Sequence, residues 1–446
     1  MKRSFPFYGF VGLVLLVVSE ILHLRKIEPF YSWFYCFAWW SYILTIDAVI
    51  YRVKKNSLIL NRTKEFFLMI PWSIFIWLIF EAANVSLSNW YYIHIPPSLA
   101  ERWLGYAVAY GTVLPGLFET TELLEALGVF KNARVQRIAF SLPAHVGLAF
   151  LGVLSLLSSV LAPLTFFPLI WVGFIFLLEP VNNWLGGRSL LRDLEDGNPR
   201  KIYLLLIAGL ICGLLWEFWN YWARSKWVYT VPFFEETKGF EMPYLGFLGF
   251  PPFAIQAYVM YNTLSLFRCH RGWEQSSYRL NLKDKTRGTT RILTAVLIVS
   301  FSVLMFRTID RNTVDSYAPR LSDAYWIPSL YRTELPRVGI SSLDDLVSKT
   351  RDKNERDELA LRLLVPKEEL ISWVEKAHLV SLKGLGIENL RLLQGVGIDS
   401  VAALSAEDPS RLRNRMTQAY EGRPCPSLSK LRIWVREAQR AVKSKQ

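Results

Sequence analysis

Two stretches of this sequence place a carboxylate at the same position in an apolar, aromatic-rich segment. Residues 78–96 read LIFEAANVSLSNWYYIHIP, and residues 214–232 read LLWEFWNYWARSKWVYTVP. The shared pattern is E-x-x-N, then W-x-Y, then Pro, and it pairs Glu81 with Glu217, Asn84 with Asn220, Trp90 with Trp227 and Tyr92 with Tyr229. Apolar surroundings favour a neutral carboxylic acid that can donate a proton, and aromatic faces can stabilise a developing cation. The pattern predicts acid catalysis on an apolar substrate; the structural alternative is a hydrogen-bonded anchor beneath interfacial aromatic residues.

Further acids lie inside apolar stretches. The segment DAVIYRVKKNSL, which begins at Asp47, matches EPVNNWLGGRSL, which begins at Glu179, and Glu119 matches Gln256. A carboxylate in a membrane span costs about 2.5–3.5 kcal/mol, so each should face a partner or a cavity. For Asp47 and Glu179, a helix-end acid balanced by cations of the following loop is favoured over a site for an anionic headgroup. The predicted catalytic residues are Glu81, Glu119 and Glu217, and the predicted substrate-binding residues are Asn84, Trp90, Tyr92, Asn220, Trp227, Tyr229, Asp47 and Glu179.

The composition indicates which elements hold these acids. Hydrophobic residues make up 52% of the 446, with 17 Trp and 28 Phe, which is typical of a membrane protein. Stretches long enough to cross a bilayer lie near 7–24, 30–50, 66–84, 103–124, 138–158, 163–183, 202–222, 245–267 and 290–306. After Arg307 the chain is rich in charge, so residues 308–446 are predicted to form a soluble domain.

The matched pairs all fall between 132 and 137 residues apart. Random apolar similarity would not give so narrow a range of offsets, so we predict two parallel four-helix repeats, residues 1–135 and 136–270. A basic loop and a ninth helix, residues 271–307, follow them. The four cysteines are widely separated, and no metal site, cofactor or disulfide is predicted.

The net charge of +13 is distributed as a topology signal. With nine spans, the N-terminus and the loops after even-numbered spans carry 21 Lys and Arg, whereas the alternate loops carry 6. The positive-inside rule then predicts a cytoplasmic N-terminus and an extracytoplasmic C-terminal domain, in the inner (plasma) membrane of a bacterial-type cell.

The membrane part resembles the lycopene cyclase domain of the small, membrane-embedded type. The residues that carry the resemblance are Glu217, Trp227, Tyr229, Gly246 and Pro252, with Glu81, Trp90, Tyr92, Pro115 and Glu119 in the first copy. That family closes rings on linear carotenoids by protonating a terminal double bond, without net redox change. The family has adjacent acids two residues after its proline, whereas here a single acid, Glu119, lies four residues after Pro115. Because the amide of Gln256 cannot donate a proton as an acid does, the first repeat is the better catalytic candidate.

The segment LVSLKGLGIENLRLLQGVGIDSVAAL, residues 379–404, resembles a helix-hairpin-helix module and is closest to an uncharacterised bacterial family of tandem modules. VGISSLDDL at 338 matches VGIDSVAAL at 396, which indicates an earlier copy. Residues 308–446 contain 23 Lys and Arg against 19 Asp and Glu, so charge favours a protein partner over nucleic acid.

The fold class predicted is all-α: a polytopic membrane helical bundle followed by a small soluble helical domain. The predicted function is binding of an isoprenoid or carotenoid-like lipid, or another apolar lipid, with cyclisation or isomerisation by a carboxylic acid. Two alternatives remain: a non-enzymatic lipid-handling, transport or scaffold protein, and a membrane-tethered DNA-binding protein.

Overall fold

The computed structural model describes residues 5–231, 237–268, 270–276, 288–421 and 425–443. They form two compact units. The first contains Met1–Trp90, Ala100–Arg224 and Val231–Thr313, and the second contains Tyr91–Leu99, Ser225–Thr230 and Val314–Gln446. Pro232 and Cys269, which the sequence analysis considered, lie outside the described residues.

The first unit is a bundle of apolar α-helices. In chain order they are α1 (Phe7–Leu24), α2 (Phe34–Lys54), α3 (Leu58–Asn61), α4 (Thr63–Leu87), α5 (Leu99–Tyr110), α6 (Val113–Ala126), α7 (Leu142–Leu161), α8 (Pro163–Phe166), α9 (Ile170–Trp184), α10 (Leu190–Glu195), α11 (Arg200–Trp222), α12 (Phe250–Leu266) and α13 (Gly288–Asn312). Two short 3-10 segments, Phe167–Leu169 and Tyr244–Gly249, precede α9 and α12. The class of an all-helical membrane protein is therefore confirmed.

Seven helical segments of the described residues are long and apolar enough to cross a membrane. They are Phe7–Leu24, Phe34–Lys54, Thr63–Leu87, Leu142–Leu161, Pro163–Trp184, Arg200–Trp222 and Ile292–Asn312. The other two predicted spans are not single long helices. The stretch 103–124 is divided between α5 and α6 at Gly111 and Thr112, and 245–267 begins as a 3-10 segment before α12. The helix of α6 starts two residues before Pro115 and α12 contains Pro251 near its start, where a first turn accepts proline without losing a backbone hydrogen bond. Pro71 and Pro180 lie inside α4 and α9.

The helices pack in two similar sets. α1 contacts α2 while α7 contacts α9, and α6 contacts α2 and α4 while α12 contacts α9 and α11. The sets also interlock, since α6 contacts α11 and α4 contacts α12. Glycines allow the close approaches: a Cβ on Gly12 of α1 would lie 2.8 Å from the Ser41 carbonyl oxygen, and one on Gly152 of α7 would lie 2.3 Å from the Leu177 nitrogen.

The second unit combines two short strands with the C-terminal helices. Strand β1 (Trp90–Ile93) pairs with β2 (Lys226–Tyr229), and Tyr92 also bridges to Val314. A further pair, β3 (Lys238–Gly239) and β4 (Met242–Pro243), belongs to the first unit. The helices of the second unit are α14 (Ser329–Glu334), α15 (Leu343–Lys349), α16 (Lys353–Leu363), α17 (Lys367–Ser381), α18 (Gly386–Gln394), α19 (Val401–Ser405), α20 (Pro409–Ala419) and α21 (Leu428–Lys443). Short 3-10 segments cover Leu321–Asp323 and Leu335–Val338.

Two glycine turns of the second unit have the same conformation. Gly339 and Gly397 both have a φ of 81°, a left-handed value that glycine adopts without strain. The residue after each glycine donates its amide five residues back, over 2.9 Å to the Leu335 carbonyl and 3.0 Å to the Leu393 carbonyl. A serine three residues after each glycine then caps the next helix. The matched segments at 338 and 396 therefore share one turn-and-helix geometry.

Candidate functional site

Glu81 lies on α4, fully buried, and two indoles hold its carboxylate. Trp77 Nε1 donates to Oε1 over 2.9 Å, and Trp90 Nε1 donates to the same oxygen over 3.1 Å. Trp77 is one helical turn before Glu81, so the helix itself presents the first donor. The spacing between Glu81 and Trp90 in the sequence motif thus corresponds to a hydrogen bond.

Asn84 positions the chain that brings Trp90 to the carboxylate. Its amide nitrogen donates to the Trp90 carbonyl over 2.9 Å, and its amide oxygen accepts from the Asn89 amide over 2.9 Å. It therefore terminates α4 and starts β1 with its own side chain. The hydrogen bonds of the Asn84 side chain therefore stabilise the turn between α4 and β1.

Of the four W-x-Y aromatic residues, only Trp90 belongs to the same unit as the acids. Glu217 and Asn220 are fully buried on α11 in the first unit, as Glu81 and Asn84 are on α4. Tyr92, Trp227 and Tyr229 lie in the second unit, on the paired strands β1 and β2. The strand pairing could have been anticipated from the alternating, aromatic composition of the two motifs, but not from membrane-span analysis.

Asp47 and Glu179 each receive the N-terminus of a short helix. Asp47 Oδ1 accepts from the Ile59 amide of α3 over 2.8 Å, and its other oxygen accepts from the Tyr8 hydroxyl. Glu179 Oε1 accepts from the Leu191 amide of α10 over 3.0 Å. In both cases the donor lies twelve residues after the acid, and a carboxylate at a helix N-terminus is favourable. The loop cations that the sequence suggested are not the principal partners.

Glu119 on α6 differs from every acid above. It is fully buried, and neither carboxyl oxygen forms a hydrogen bond of ordinary geometry with the described residues, although the Asp47 carboxyl lies close enough to interact with it. Its strongest electrostatic neighbours are the carboxyls of Asp47 and Glu122, followed by the Arg62 guanidinium. Glu122, one turn on, forms ion pairs with Lys54 and Arg62. No group of three His, Cys, Asp or Glu side chains within the described ranges is arranged to hold a metal ion.

Gln256 on α12, which the sequence pairs with Glu119, is fully bonded. Its nitrogen donates to the Ile170 carbonyl over 3.0 Å, and its oxygen accepts from the Phe174 amide over 3.0 Å. These backbone groups lie one turn apart on α9, so the amide ties α12 to α9. Gln256 therefore has a structural role, whereas the Glu119 carboxyl forms no comparable hydrogen bonds with a neighbouring helix.

Aromatic side chains fill the space between the two sets of helices. Phe80 stacks on Trp171 with ring centroids 5.7 Å apart, and Trp39 lies 5.5 Å from Trp216. Phe253 contacts the rings of both Phe80 and Trp216, at 5.4 and 5.6 Å. Each such contact contributes about 0.5–1.5 kcal/mol beyond the burial of its apolar surface. The aromatic contacts therefore stabilise the packing of the two sets of helices against each other.

The sequence analysis missed a set of buried ion pairs. Glu65 on α4 accepts two hydrogen bonds from Arg268, at 2.7 and 2.6 Å, and one from the Tyr261 hydroxyl. Lys201 on α11 pairs with Glu125 at 2.8 Å and with Glu274 at 2.7 Å. Lys201 and Arg268 adjoin the ends of predicted spans, so the positive-inside rule counts them as loop cations; only their burial in the structure distinguishes them.

A partly buried hydrogen-bond cluster around one carboxylate joins α13 to α5. Asp310 of α13 accepts from Arg102 Nε over 2.7 Å, from Trp103 Nε1 over 3.0 Å and from the Tyr106 hydroxyl over 3.0 Å. All three donors lie on α5. Residues 288–312 are therefore an integral helix of the first unit.

The fold and this set of buried polar groups define a multi-pass membrane protein with a helical C-terminal unit. Residues 327–441 match the family model described as "Domain of unknown function (DUF4332)". No curated protein and no solved structure matches the chain.

Proposed function

We propose that this membrane protein binds an apolar lipid of the isoprenoid type and that Glu119 protonates it. The observation that carries the proposal is the buried Glu119 carboxyl, which forms no hydrogen bond of ordinary geometry with the described residues and lies beside the Asp47 carboxyl. A carboxylic acid held neutral in an apolar site is a proton donor. Glu81 and Glu217 are the secondary candidates, and the two indoles that bond Glu81 make it the less available acid.

The proposed step conserves atoms and electrons. The Glu119 proton adds to one carbon of a terminal C=C bond, leaving a carbocation on the other. That cation is captured by a neighbouring double bond to close a ring, or it rearranges in place. Loss of a proton from an adjacent carbon to the Glu119 carboxylate restores a double bond and the acid. No oxidant, reductant or cofactor is needed.

A route for exchanging this proton runs along α6. Glu122 lies one turn from Glu119 and pairs with Lys54, whose side chain is 24% exposed. Arg62 holds Glu122 from the other side with a side chain that is 1% exposed. Proton exchange with solvent therefore needs to cross only this ion-pair cluster.

Access for a lipid is proposed beside α1. This helix carries exposed apolar side chains along most of its length, including Val14 at 61% and Val17 at 57%. Its Tyr8 hydroxyl bonds Asp47, which neighbours Glu119. Separation of α1 from α2 would open the site sideways to the bilayer, where an apolar substrate dissolves.

We further propose that residues 1–135 and 136–270 are parallel repeats in a bundle of nine crossings. The segments 91–99, 225–230 and 314–446 form one compact unit, which supports their lying on one side of the membrane. Among the described residues, three of the seven apolar helices lie between 99 and 225, and one lies between 230 and 314. Each interval needs an even number of crossings, which supports a crossing by α5–α6 and another by α12.

The test of protonation uses heavy water. Membranes containing the protein are incubated in D₂O with lipids extracted from a strain that lacks it, and lipid masses are recorded. The expected product contains one carbon-bound deuterium, because the proton delivered to the double bond comes from an acid that exchanges with solvent. Products without deuterium, or no product in any lipid class, would refute the proposal.

A second candidate is a non-enzymatic scaffold that holds the C-terminal unit at the membrane. It is favoured by the composition of the second unit, which incorporates segments 91–99 and 225–230 from both halves of the membrane part. Under this alternative, lipid composition is independent of the protein, whereas a partner captured by crosslinking through the second unit is lost when residues 314–446 are removed.

A further inference from the structure

The last helix of the second unit, α21, carries a one-sided row of cations. Arg432, Arg436, Arg440 and Lys443 occur at spacings of four, four and three residues, which places them along one face of the helix. Arg432, Arg440 and Lys443 are exposed and Arg436 is partly buried. The opposite face is buried in the core of the unit through Leu431, Trp434, Val435 and Ala438. We call Arg432, Arg436, Arg440 and Lys443 the basic row.

A matched helix shows that the fold does not require the basic row. α17 has the same buried positions, since Leu370, Trp373 and Ala377 match Leu431, Trp434 and Ala438 at a constant offset of 61 residues. At that offset Ile371 and Glu375 stand where α21 has Arg432 and Arg436, whereas the buried Leu379 stands at the position of the exposed Arg440. Overall α17 contains two Lys and three Glu, whereas α21 contains five Lys or Arg and a single Glu.

The basic row is mostly uncompensated by its own surroundings. Arg440 pairs with Glu437 at 2.8 Å. Arg432, Arg436 and Lys443 form no ion pair with the part of the chain that the structure describes. A row that served solubility alone could hold either sign, so the uniform positive charge favours an anionic partner.

We propose that the basic row binds a membrane surface rich in anionic phospholipid. The chain is itself a membrane protein, so lipid phosphate is present near the unit at high effective concentration. Nucleic acid is the less suitable polyanion, because at both glycine turns a serine hydroxyl already binds one of the helix N-terminal amides. The Ser342 and Ser400 hydroxyls accept from the Asp345 and Ala403 amides, and the Asp345 carboxylate adds negative charge at the first turn.

The experiment measures arginine reactivity in the full-length protein. The protein is reconstituted in discs of phosphatidylcholine alone or of phosphatidylcholine with phosphatidylglycerol, and it is labelled with a phenylglyoxal reagent before mass spectrometry. Labelling of Arg432, Arg436 and Arg440 is expected to fall several-fold in the anionic discs and to recover at high salt. Arg362 on α16 is the internal control and should not change.

Two further arms identify the source and test causation. Phosphatidylglycerol vesicles added to neutral discs ask whether a second membrane is bound instead of the host membrane; protection in either arrangement supports the proposal. With vesicles, Arg432→Gln combined with Arg436→Gln should weaken association by on the order of tenfold or more, while Arg356→Gln combined with Arg362→Gln removes equal charge from α16 without effect. Equal labelling with all lipids, or protection by an added oligonucleotide alone, overturns the proposal.

Discussion

The two halves of the membrane unit place different chemistry at matched positions. Glu119 keeps a bare carboxyl beside Asp47, whereas Gln256 bridges two backbone groups of α9. Glu65 binds Arg268, which follows the end of α12, whereas Lys201 at the matched position on α11 binds Glu125 on α6. The packing tolerates either sign or no charge at a matched position, provided that the local partner complements it. A polar group that lacks the hydrogen bonds made by its counterpart in the other half is therefore a candidate for function.

The largest effect is expected from Glu119→Gln, which converts the first half to the residue of the second. The amide keeps the size of the acid but cannot donate its proton, so deuterium incorporation into lipid should fall by about 10²–10⁴-fold. The rate is measured with wild-type and variant protein at equal amounts in the same membranes. Gln256→Glu is the matched control and should retain activity, because a neutral acid offers one donor and one acceptor to α9. Full activity of Glu119→Gln would assign this carboxyl to structure.

Removing the buried ion pairs of Glu65 and Lys201 should lower the free energy of unfolding, by a different amount at each site. Glu65→Gln leaves Arg268 without its carboxylate in a buried site and is expected to destabilise the protein by about 3–5 kcal/mol. Lys201→Met should cost less, because Glu274 retains Arg188 at 3.0 Å and Glu125 is 38% exposed. Unfolding in mixed detergent, followed by tryptophan fluorescence, measures both. Equal losses in the free energy of unfolding would contradict the different partners assigned to the two sites.

Capping of α10 by Glu179 should contribute less again. Glu179→Ala removes the acceptor of the Leu191 amide and is expected to cost about 1–3 kcal/mol of local stability. Asp47→Ala makes the same change at α3, where the Ile59 amide loses its acceptor. Hydrogen exchange at α10 and α3 reports the two caps separately. Unchanged protection in both variants would show that water replaces the carboxylates without loss.

The smallest effect concerns the turns of the second unit, where Asp345 completes a capping box that Ala403 cannot form. Asp345→Ala should destabilise α15 by about 1 kcal/mol, and Ala403→Asp should stabilise α19 by a similar or smaller amount. Partial burial raises the pKa of Asp345, but hydrogen bonds from Ser341 and Ser342 outweigh it and hold the pKa below its usual value. This contribution is therefore present above the unfolded pKa, near 3.9, and is lost as pH falls through the lower folded value. Amide exchange at α15 between pH 3 and 6, compared with α19, tests it; identical pH dependence in both helices would contradict the assignment.

Sequence patterns identified the acids but not their environments. The sequence predicts that these acids face the interior of the bundle, because a carboxylate in an apolar helix is costly when it faces lipid. The structure buries all of them: Asp47, Glu81, Glu119, Glu179 and Glu217. Whether an acid is bonded or bare depends on other elements. The Tyr8 hydroxyl that reaches Asp47 comes from a helix 39 residues earlier in the chain. No periodicity within one helix contains that information.

The sequence by itself determined the helical membrane class, the charged C-terminal region and the matched positions, since length, hydropathy and spacing act locally along the chain. Tertiary structure alone decided that 91–99 and 225–230 join the C-terminal unit and that Glu65 meets Arg268, 203 residues away. It also decided that Gln256 is bonded while Glu119 is bare. These outcomes depend on which helices become neighbours, and that choice is made by the summed packing of the whole bundle, to which each local segment contributes only a small part of the free energy.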